Sequence, residues 1–489
     1  MLQCLDAEEN REFREFFRDS GYTTPALQKR FGSAEIPQLH LLKLYLLGIP
    51  LEPSRLNILF RWFWIGIPVE TATAAEFIPE RMIRLFLKAG VLTTEEGSLK
   101  STVRVSPFAE YLIVSDHAVL RTGTLKADTI LWPNPSTLLC YHLSIQTPVG
   151  RTLDLGTGNG ILAIAAAGHS GSVVATDLNP RARDFCLFNA ALNGATQVEF
   201  REGNAFEPVR GERFDLILAN PPFFVTPSVR HVYSDNSMEL DGFCRTLVRQ
   251  APEYLNENGY CQMLVEWVQV RGQSWQDRLK EWFEGLGCES QVLVSYMRPA
   301  ADYAMIRVQE DRDEVYAPEA QAALTSQWQT YFEGHQVEAV YGGIIVLRRR
   351  EGRNWIRMEE LRAKPVRPFG EFLRRVFENR DALEKHASDE ELLATRPALP
   401  ASARLQKQYA ISPEGWKLTS VDLQLGEGLP YSVALQPQVA DFAALCDGRK
   451  TLQEIADQTA TVLGVDAVVA RRECCGITRQ LADRGMIHI

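Results

Sequence analysis

The sequence predicts an α/β protein: a seven-stranded, mainly parallel sheet covered by helices, with a helical, winged-helix-like module on either side. Three observations predict it. Strand-like and helix-like patterns alternate from residue 126 to residue 350, as in parallel sheets buried on both faces. A glycine-rich turn at residues 156–160 joins the first apolar run directly to a helical one. Before residue 125 the order is helix, helix, β-hairpin, and after residue 450 two further helices follow a turn. The expected parts are therefore residues 1–125, 126–350 and 351–489.

The strands read as short apolar runs at 152–155, 173–177, 198–201, 214–219 and 260–265. Runs at 291–294 and 343–347 complete seven, the last two closing the sheet as a hairpin. Upstream, Thr24 caps a helix with Pro25 at its first position and Gly32 as its stop. Apolar residues at helical spacing between Ala74 and Gly90 (Phe77, Met82, Ile83, Leu85, Phe86) predict a second helical stretch, and strands are expected at 98–105 and 111–115. Such a module serves either substrate recognition or as a cap over a site. Residues 351–405, charged and proline-bearing, read as a helical connector. Beyond them Asp447-Gly448 is a turn, Thr451 caps a helix to Leu463, a second helix runs from Ala467 to Asp483 and stops at Gly485, and residues 486–489 form a terminal strand.

The 489 residues suffice for two to four domains at roughly 100–200 residues each. The formal net charge of −10 gives no global pull toward a phosphate backbone, so nucleic-acid contact needs a local basic face such as Arg348, Arg349, Arg350 and Arg353. The nine cysteines contain no C-x-x-C pair and their number is odd, against both a zinc finger and a disulfide framework; a reducing cytoplasm is expected. The charged N-terminus lacks the apolar core of a signal peptide. Residues 39–64, interrupted by Pro50 and Pro53, read as packed helices rather than a membrane span.

Residues 151–160 read RTLDLGTGNG and run straight into the helical ILAIAAAG. Glycines at 156, 158 and 160 permit positive φ and close approach of a ligand to the backbone. The dinucleotide fingerprint G-x-G-x-x-G/A is not met, because Ile161 stands where its third small residue belongs. The next strand ends in Asp177, a carboxylate placed to accept both hydroxyls of a ribose. With Asp154 before the loop, D-x-G-x-G-x-G resembles the first motif of S-adenosylmethionine-dependent methyltransferases. That resemblance implies S-adenosylmethionine as cofactor, a seven-stranded Rossmann-like class I methyltransferase domain, and cofactor contacts from Asp154, Gly156, Gly158, Gly160 and Asp177. It also implies adenine contacts from Asn204 and Ala205, where related enzymes usually carry Gly-Asp rather than Gly203-Asn204.

The run RFDLILANPPFF ends a buried strand at Asn220, Pro221, Pro222 and Phe223. It resembles the (D/N)-P-P-(Y/F/W) motif of methyltransferases acting on planar nitrogens: adenine-N6, guanine-N2 and release-factor glutamine-N5 enzymes. A planar nitrogen delocalises its lone pair and is a poor nucleophile. Two acceptors aimed at its hydrogens turn the lone pair outward; Asn220 supplies a side-chain oxygen and Pro221 a backbone carbonyl. The prolines stiffen the loop, and Phe223 offers a ring to stack on the planar group. Trp132 and Ser136, in the segment DTILWPNPSTL, are weaker lining candidates, as are His231 and Tyr233; Asp241-Gly242 opens the following helix. The eight histidines show no metal spacing, so no metal is expected, and no nucleophile elbow or Walker loop competes.

The whole chain is similar to bacterial methyltransferases that carry the small methyltransferase domain between two further modules. Phe223 shades the acceptor toward an exocyclic amino group of an RNA or DNA base, gripped by the flanking modules. The Glu-Pro-Val after Phe206 pulls toward the glutamine-modifying group, so protein glutamine-N5 methylation is the alternative. A SAM-binding regulator without turnover is the third reading, and the intact Asn-Pro-Pro-Phe argues against it.

Overall fold

A computed structural model describes residues 2–31, 53–117, 126–310, 318–361, 368–426, 428–429 and 432–489. The chain divides into two compact units, Met1–Tyr141 with Pro148–Leu361, and His142–Thr147 with Arg362–Ile489.

The first unit opens with the helix Ala7–Asp19, fixed by a capping box in which Asp6 and Glu9 bond each other's backbone N–H. The helix Thr24–Phe31 follows. Its cap lies one residue earlier than the sequence suggested: Ala26 N–H reaches Thr23 Oγ1 at 3.4 Å. Gly32 lies outside the described residues, as does most of the apolar stretch 39–64. The helix Arg55–Phe60 continues into a π-helical turn, Arg61–Ile65. Then come β1 (Val69–Glu70), helices Thr71–Phe77 and Glu80–Lys88, β2 (Leu92–Glu95) and β3 (Ser98–Ser101). The expected single helix before Gly90 is thus two, parted at Pro79, which has no N–H to continue the first. β3 pairs with both β1 and β2, so the hairpin gains a third strand. A second hairpin joins β4 (Arg104–Phe108) to β5 (Tyr111–Ser115). Phe13, Phe17, Phe63 and Phe86 form the centre of this part, with ring centroids 5.0–5.7 Å apart. Each such ring contributes roughly 1.5–3 kcal/mol by burial.

The large sheet comprises β6 (Val149–Leu155), β7 (Ser170–Asp177), β8 (Val198–Glu202), β9 (Phe214–Ala219), β10 (Leu255–Val270), β11 (Cys288–Pro299), β12 (Val337–Arg349) and β13 (Ile356–Glu360). Their order is β13-β11-β12-β10-β9-β6-β7-β8. All neighbours are parallel except β12, which runs antiparallel to β10 and β11. From β6 the chain winds outward to β8, then crosses back to β9. The switch opens a crevice at the strand ends between β6 and β9, where open α/β sheets bind ligands.

Two features of this sheet differ from the sequence expectation. Among the described residues it has eight strands, because β13 adds a parallel edge beyond residue 350; its short Ile-Arg-Met-Glu-Glu run carries too little apolar signal to stand out. β11 and β12 are antiparallel neighbours but not a tight hairpin. The helices Ala300–Glu310 and Pro318–Gly334 lie between them, packing Tyr303, Trp328 and Phe332 against Val225, Val268 and Val340. Three arginines of the basic run are bonded into this sheet, while Arg353 lies beyond β12 and is exposed. Buried Arg348 donates to Glu289 at 2.7 Å, Arg350 to Glu289 at 3.1 Å, and Arg349 to Leu255 O at 2.8 Å.

The second unit holds helices Gly370–Lys385 and Asp389–Leu393, a ribbon of β14 (Ala403–Ser412), β15 (Gly415–Leu425) and β16 (Ser432–Ala434), and helices Pro437–Leu445, Leu452–Leu463 and Ala467–Asp483. Thr451 and Glu454 form the capping box of the middle one. The connector is therefore part strand. The expected terminal strand is only a bridge, His488 against Ala398. No helix among the described residues is long and apolar enough to cross a membrane.

Candidate active site

β6 delivers Leu155 into a turn whose three glycines all have positive φ: 73° at Gly156, 54° at Gly158 and 87° at Gly160. The N–H groups of Gly156 and Thr157 bond Thr176 O at 2.9 Å, and Gly158 N–H donates to Asp177 Oδ2 at 2.7 Å. Asp154 lies beneath the turn, 1% exposed. Its Oδ2 accepts from Thr157 Oγ1 at 2.6 Å and Ala163 N–H at 3.0 Å, whereas its buried Oδ1 has no partner among the described residues. Burial pushes its pKa up to about 7. A Cβ on Gly160 would come within 3.0 Å of Cys186. Asp154 and Gly160 therefore shape the loop from below, and Gly156 and Gly158 face the ligand space.

That space is a cavity of about 430 Å³, within the roughly 300–1,000 Å³ usual for small-molecule sites. Gly156, Gly158, Asp177, Asn204 and Ala205 line one part of it, and residues 220–223 another. Asp177 Oδ1 accepts from Asn179 N–H at 2.8 Å. Burial raises its pKa against the opposing pull of the Asn179 and Gly158 N–H groups. Ala205 adopts φ 46°, turning the chain sharply after β8. The segment 128–137 lies across the glycine loop, held by Asn179 Nδ2 on Asp128 O and Asn159 Nδ2 on Leu131 O, each at 2.8 Å. Trp132 and Ser136 from this segment line the cavity.

Leu155 and Ala219 are register partners, so β6 and β9 launch their loops side by side. A Cβ on Gly156 would lie only 3.8 Å from Pro221 Cα. Asn220 Nδ2 donates to Ser136 Oγ at 3.4 Å, and Ser136 Oγ donates to Asn134 Oδ1 at 2.7 Å. With its N–H side so engaged, Asn220 retains its side-chain oxygen as an acceptor. Pro222 O is occupied by Asn236 Nδ2 at 3.1 Å. Phe223 meets Phe224 edge-on, with centroids 4.9 Å apart.

The weaker candidates separate. Tyr233 lines the cavity, while His231 stacks behind it at 5.0 Å. Asp241, 2% exposed, accepts from Val268 N–H at 3.0 Å and Arg278 Nε at 2.9 Å, a structural ion pair away from the cavity. Gly242 merely opens the helix Gly242–Gln250. The sequence reading missed the amides that hold the site: Asn134, Asn159, Asn179 and Asn236. Asn134 and Asn179 each precede a proline at a helix start, which reads as capping and carries no functional signal.

Residues 133–288 match the family model "Methyltransferase small domain", and residues 374–489 match a domain of unknown function (DUF7782). A release factor glutamine methyltransferase of Xylella fastidiosa is 37% identical over 132 residues, 24% of this chain and 48% of that protein. One of Geobacter sulfurreducens is 38% identical over 129 residues, covering 23% and 44%. A ribosomal protein uL3 glutamine methyltransferase of Bradyrhizobium diazoefficiens is 33% identical over 129 residues, covering 23% and 40%. The chain thus spans about half or less of the length of these relatives. Among solved structures, YcgJ of Bacillus subtilis is similar at TM-score 0.30 and 14% identity, over 44% of this chain and 98% of that one. By sequence match, residues 133–288 carry a methyltransferase small domain.

Proposed function

We propose that this protein transfers a methyl group from S-adenosylmethionine to the side-chain amide nitrogen of a glutamine in a protein of the translation machinery. The observation that carries the reading is the contact of two loops in one cavity: the glycine turn after β6 and the Asn220-Pro221-Pro222-Phe223 loop after β9. The sequence alone placed a nucleic-acid base first. The glutamine amide is favoured by the names of the relatives, and by Arg348, Arg349 and Arg350 being bonded into the sheet rather than offered as a basic face.

The residues present fit the implied cofactor. Asp177 offers a carboxylate to ribose hydroxyls, Asn204 and Ala205 offer an amide and a small floor to an adenine edge, and Gly156 and Gly158 allow close backbone approach. When bound, S-adenosylmethionine supplies a methyl group activated by a positively charged sulfur. The chain's own task is positioning. Asn220 Oδ1 and Pro221 O would accept hydrogen bonds from the two N–H groups of the amide, turning its lone pair outward, and one of those protons would leave to solvent as the nitrogen takes the methyl group. Phe223 stacks on the amide plane, and the prolines hold the geometry with little left to order. Trp132 and the 128–137 segment, which lies across the glycine turn, would keep water out of the cavity. In this reading residues 1–125 and 351–489 hold the macromolecular partner, in the cytoplasm.

The test is methylation of cell extract with tritiated S-adenosylmethionine, fractionated into RNA, DNA and protein. Label is expected in protein, with mass spectrometry placing one added methyl on a glutamine amide. Label confined to RNA or DNA overturns the glutamine reading in favour of a base.

A further inference from the structure

Glu266 lies in β10 between Val265 and Trp267, in the middle of an apolar strand, and is 1% exposed. A buried carboxylate costs several kcal/mol unless donors surround it, and here they do. Oε2 accepts from Val225 N–H at 3.1 Å and from Tyr303 OH at 2.6 Å, and Oε1 accepts from Tyr296 OH. The tyrosines arrive from β11 and from the helix Ala300–Glu310. Gly342 makes room for one of them, since a Cβ there would lie 2.1 Å from the Tyr296 ring.

Val225 is two residues beyond Phe223 and fully buried. Arg307, on the same helix as Tyr303, sets its guanidinium 3.6 Å from the ring centroid of Phe224, and Phe224 meets Phe223 edge-on. Residues 220–225 are therefore anchored at one end by β9 and at the other by the hydrogen bond from Val225 N–H to Glu266. Asn220 to Phe224 lie between, stiffened by Pro221-Pro222 and tied laterally by Asn236 Nδ2 on Pro222 O at 3.1 Å and Phe224 N–H on Ser234 O at 3.2 Å.

We propose that Glu266 is a positioning residue for methyl transfer: through Val225 and Phe224 it sets the distance and angle at which Asn220, Pro221 and Phe223 meet the acceptor. It touches neither donor nor acceptor. The helices between β11 and β12 belong to the same device, because they bring Tyr303 and Arg307. The proposal rests on residues 220–223 being the acceptor site.

The experiment compares wild type, Glu266→Ala, Glu266→Gln and Tyr303→Phe in the full chain. Turnover is measured on the protein fraction of cell extract, affinity for S-adenosylhomocysteine by calorimetry, and backbone order by hydrogen exchange. Glu266→Ala is expected to lower turnover by about tenfold or more, since misplacement on the ångström scale costs up to about 100-fold. Its S-adenosylhomocysteine affinity stays within about twofold, and exchange quickens in residues 220–226 but not in 151–160. Glu266→Gln restores most of the turnover, because its oxygen still accepts from Val225 N–H and its NH₂ donates to a tyrosine oxygen. Wild-type turnover and exchange in Glu266→Ala overturn the proposal, as does faster exchange across the whole sheet with loss of S-adenosylhomocysteine binding. If Glu266→Ala does not fold, Tyr303→Phe decides: faster exchange confined to 220–226 supports the role, and unchanged exchange overturns it. If wild type labels no acceptor, the functional reading fails by itself, and the exchange measurements with S-adenosylhomocysteine still decide whether Glu266 orders the loop.

Discussion

Asn220 and Ser136, 84 residues apart in sequence, meet at 3.4 Å, and the contact assigns the two ends of the Asn220 amide to different tasks. The nitrogen end is spent on the scaffold, and in the proposed reading the oxygen end is kept for the acceptor. Ser136→Ala should lower kcat by about 2- to 10-fold, the worth of one neutral hydrogen bond, with unchanged affinity for S-adenosylhomocysteine. Asn220→Ala should cost about 100-fold or more in kcat and also leave donor affinity intact. Retained turnover in Asn220→Ala would contradict its assigned role.

Asp177 should matter in the opposite column. Its carboxylate orders Gly158 and lines the cavity, and the proposed function gives it the ribose hydroxyls. Asp177→Asn should weaken S-adenosylhomocysteine binding by about 10- to 100-fold, the span of a charge-assisted hydrogen bond. Calorimetry measures this directly; affinity within twofold of wild type would remove Asp177 from the donor site.

Gly160→Ala tests the underside of the loop. The position has φ 87°, and the new Cβ would sit 3.0 Å from both Cα and Sγ of Cys186. Strain and overpacking together should cost about 2–4 kcal/mol of unfolding free energy in urea titrations. Gly97, also at positive φ but with open space around it, should lose less on the same change.

Asp154 makes stability depend on pH. Its folded pKa is about 7, against an ordinary 3.8. Between those values the folded chain keeps a proton that the unfolded chain has released. Unfolding free energy therefore falls as pH rises through this window, by up to about 1.4 kcal/mol per pH unit from this group. Asp154→Asn removes the slope. The difference between wild-type and variant denaturation midpoints should widen in the variant's favour from about pH 4 to about pH 7 and then level.

Much of the site was legible because its key residues are contiguous. Gly156 to Gly160, Asp177 and Asn220 to Phe223 each end a strand whose apolar run marks it, and the interval between the runs fits a parallel sheet. What escaped was whatever depends on distant segments meeting. Ser136 gained its meaning only beside Asn220, and Glu266 only beside Val225, because nothing in a strand's own pattern reports which loop lies over it. The helices Ala300–Glu310 and Pro318–Gly334 escaped for a related reason. Their apolar residues serve a small local core, so the neighbouring strands alone looked like a hairpin.

The pairing of Leu155 with Ala219 has a consequence for how such a protein diversifies. The loops that the proposed function assigns to donor and acceptor are spaced by the interstrand distance of the sheet, about 4.8 Å, a backbone dimension that side-chain replacement does not alter. Within residues 226–240, side chains that only line the cavity, such as Tyr233, can therefore be exchanged for a new guest, while Asn236 stays fixed because its Nδ2 holds Pro222 O. Acceptor choice and reaction geometry become separately adjustable parts of one fold.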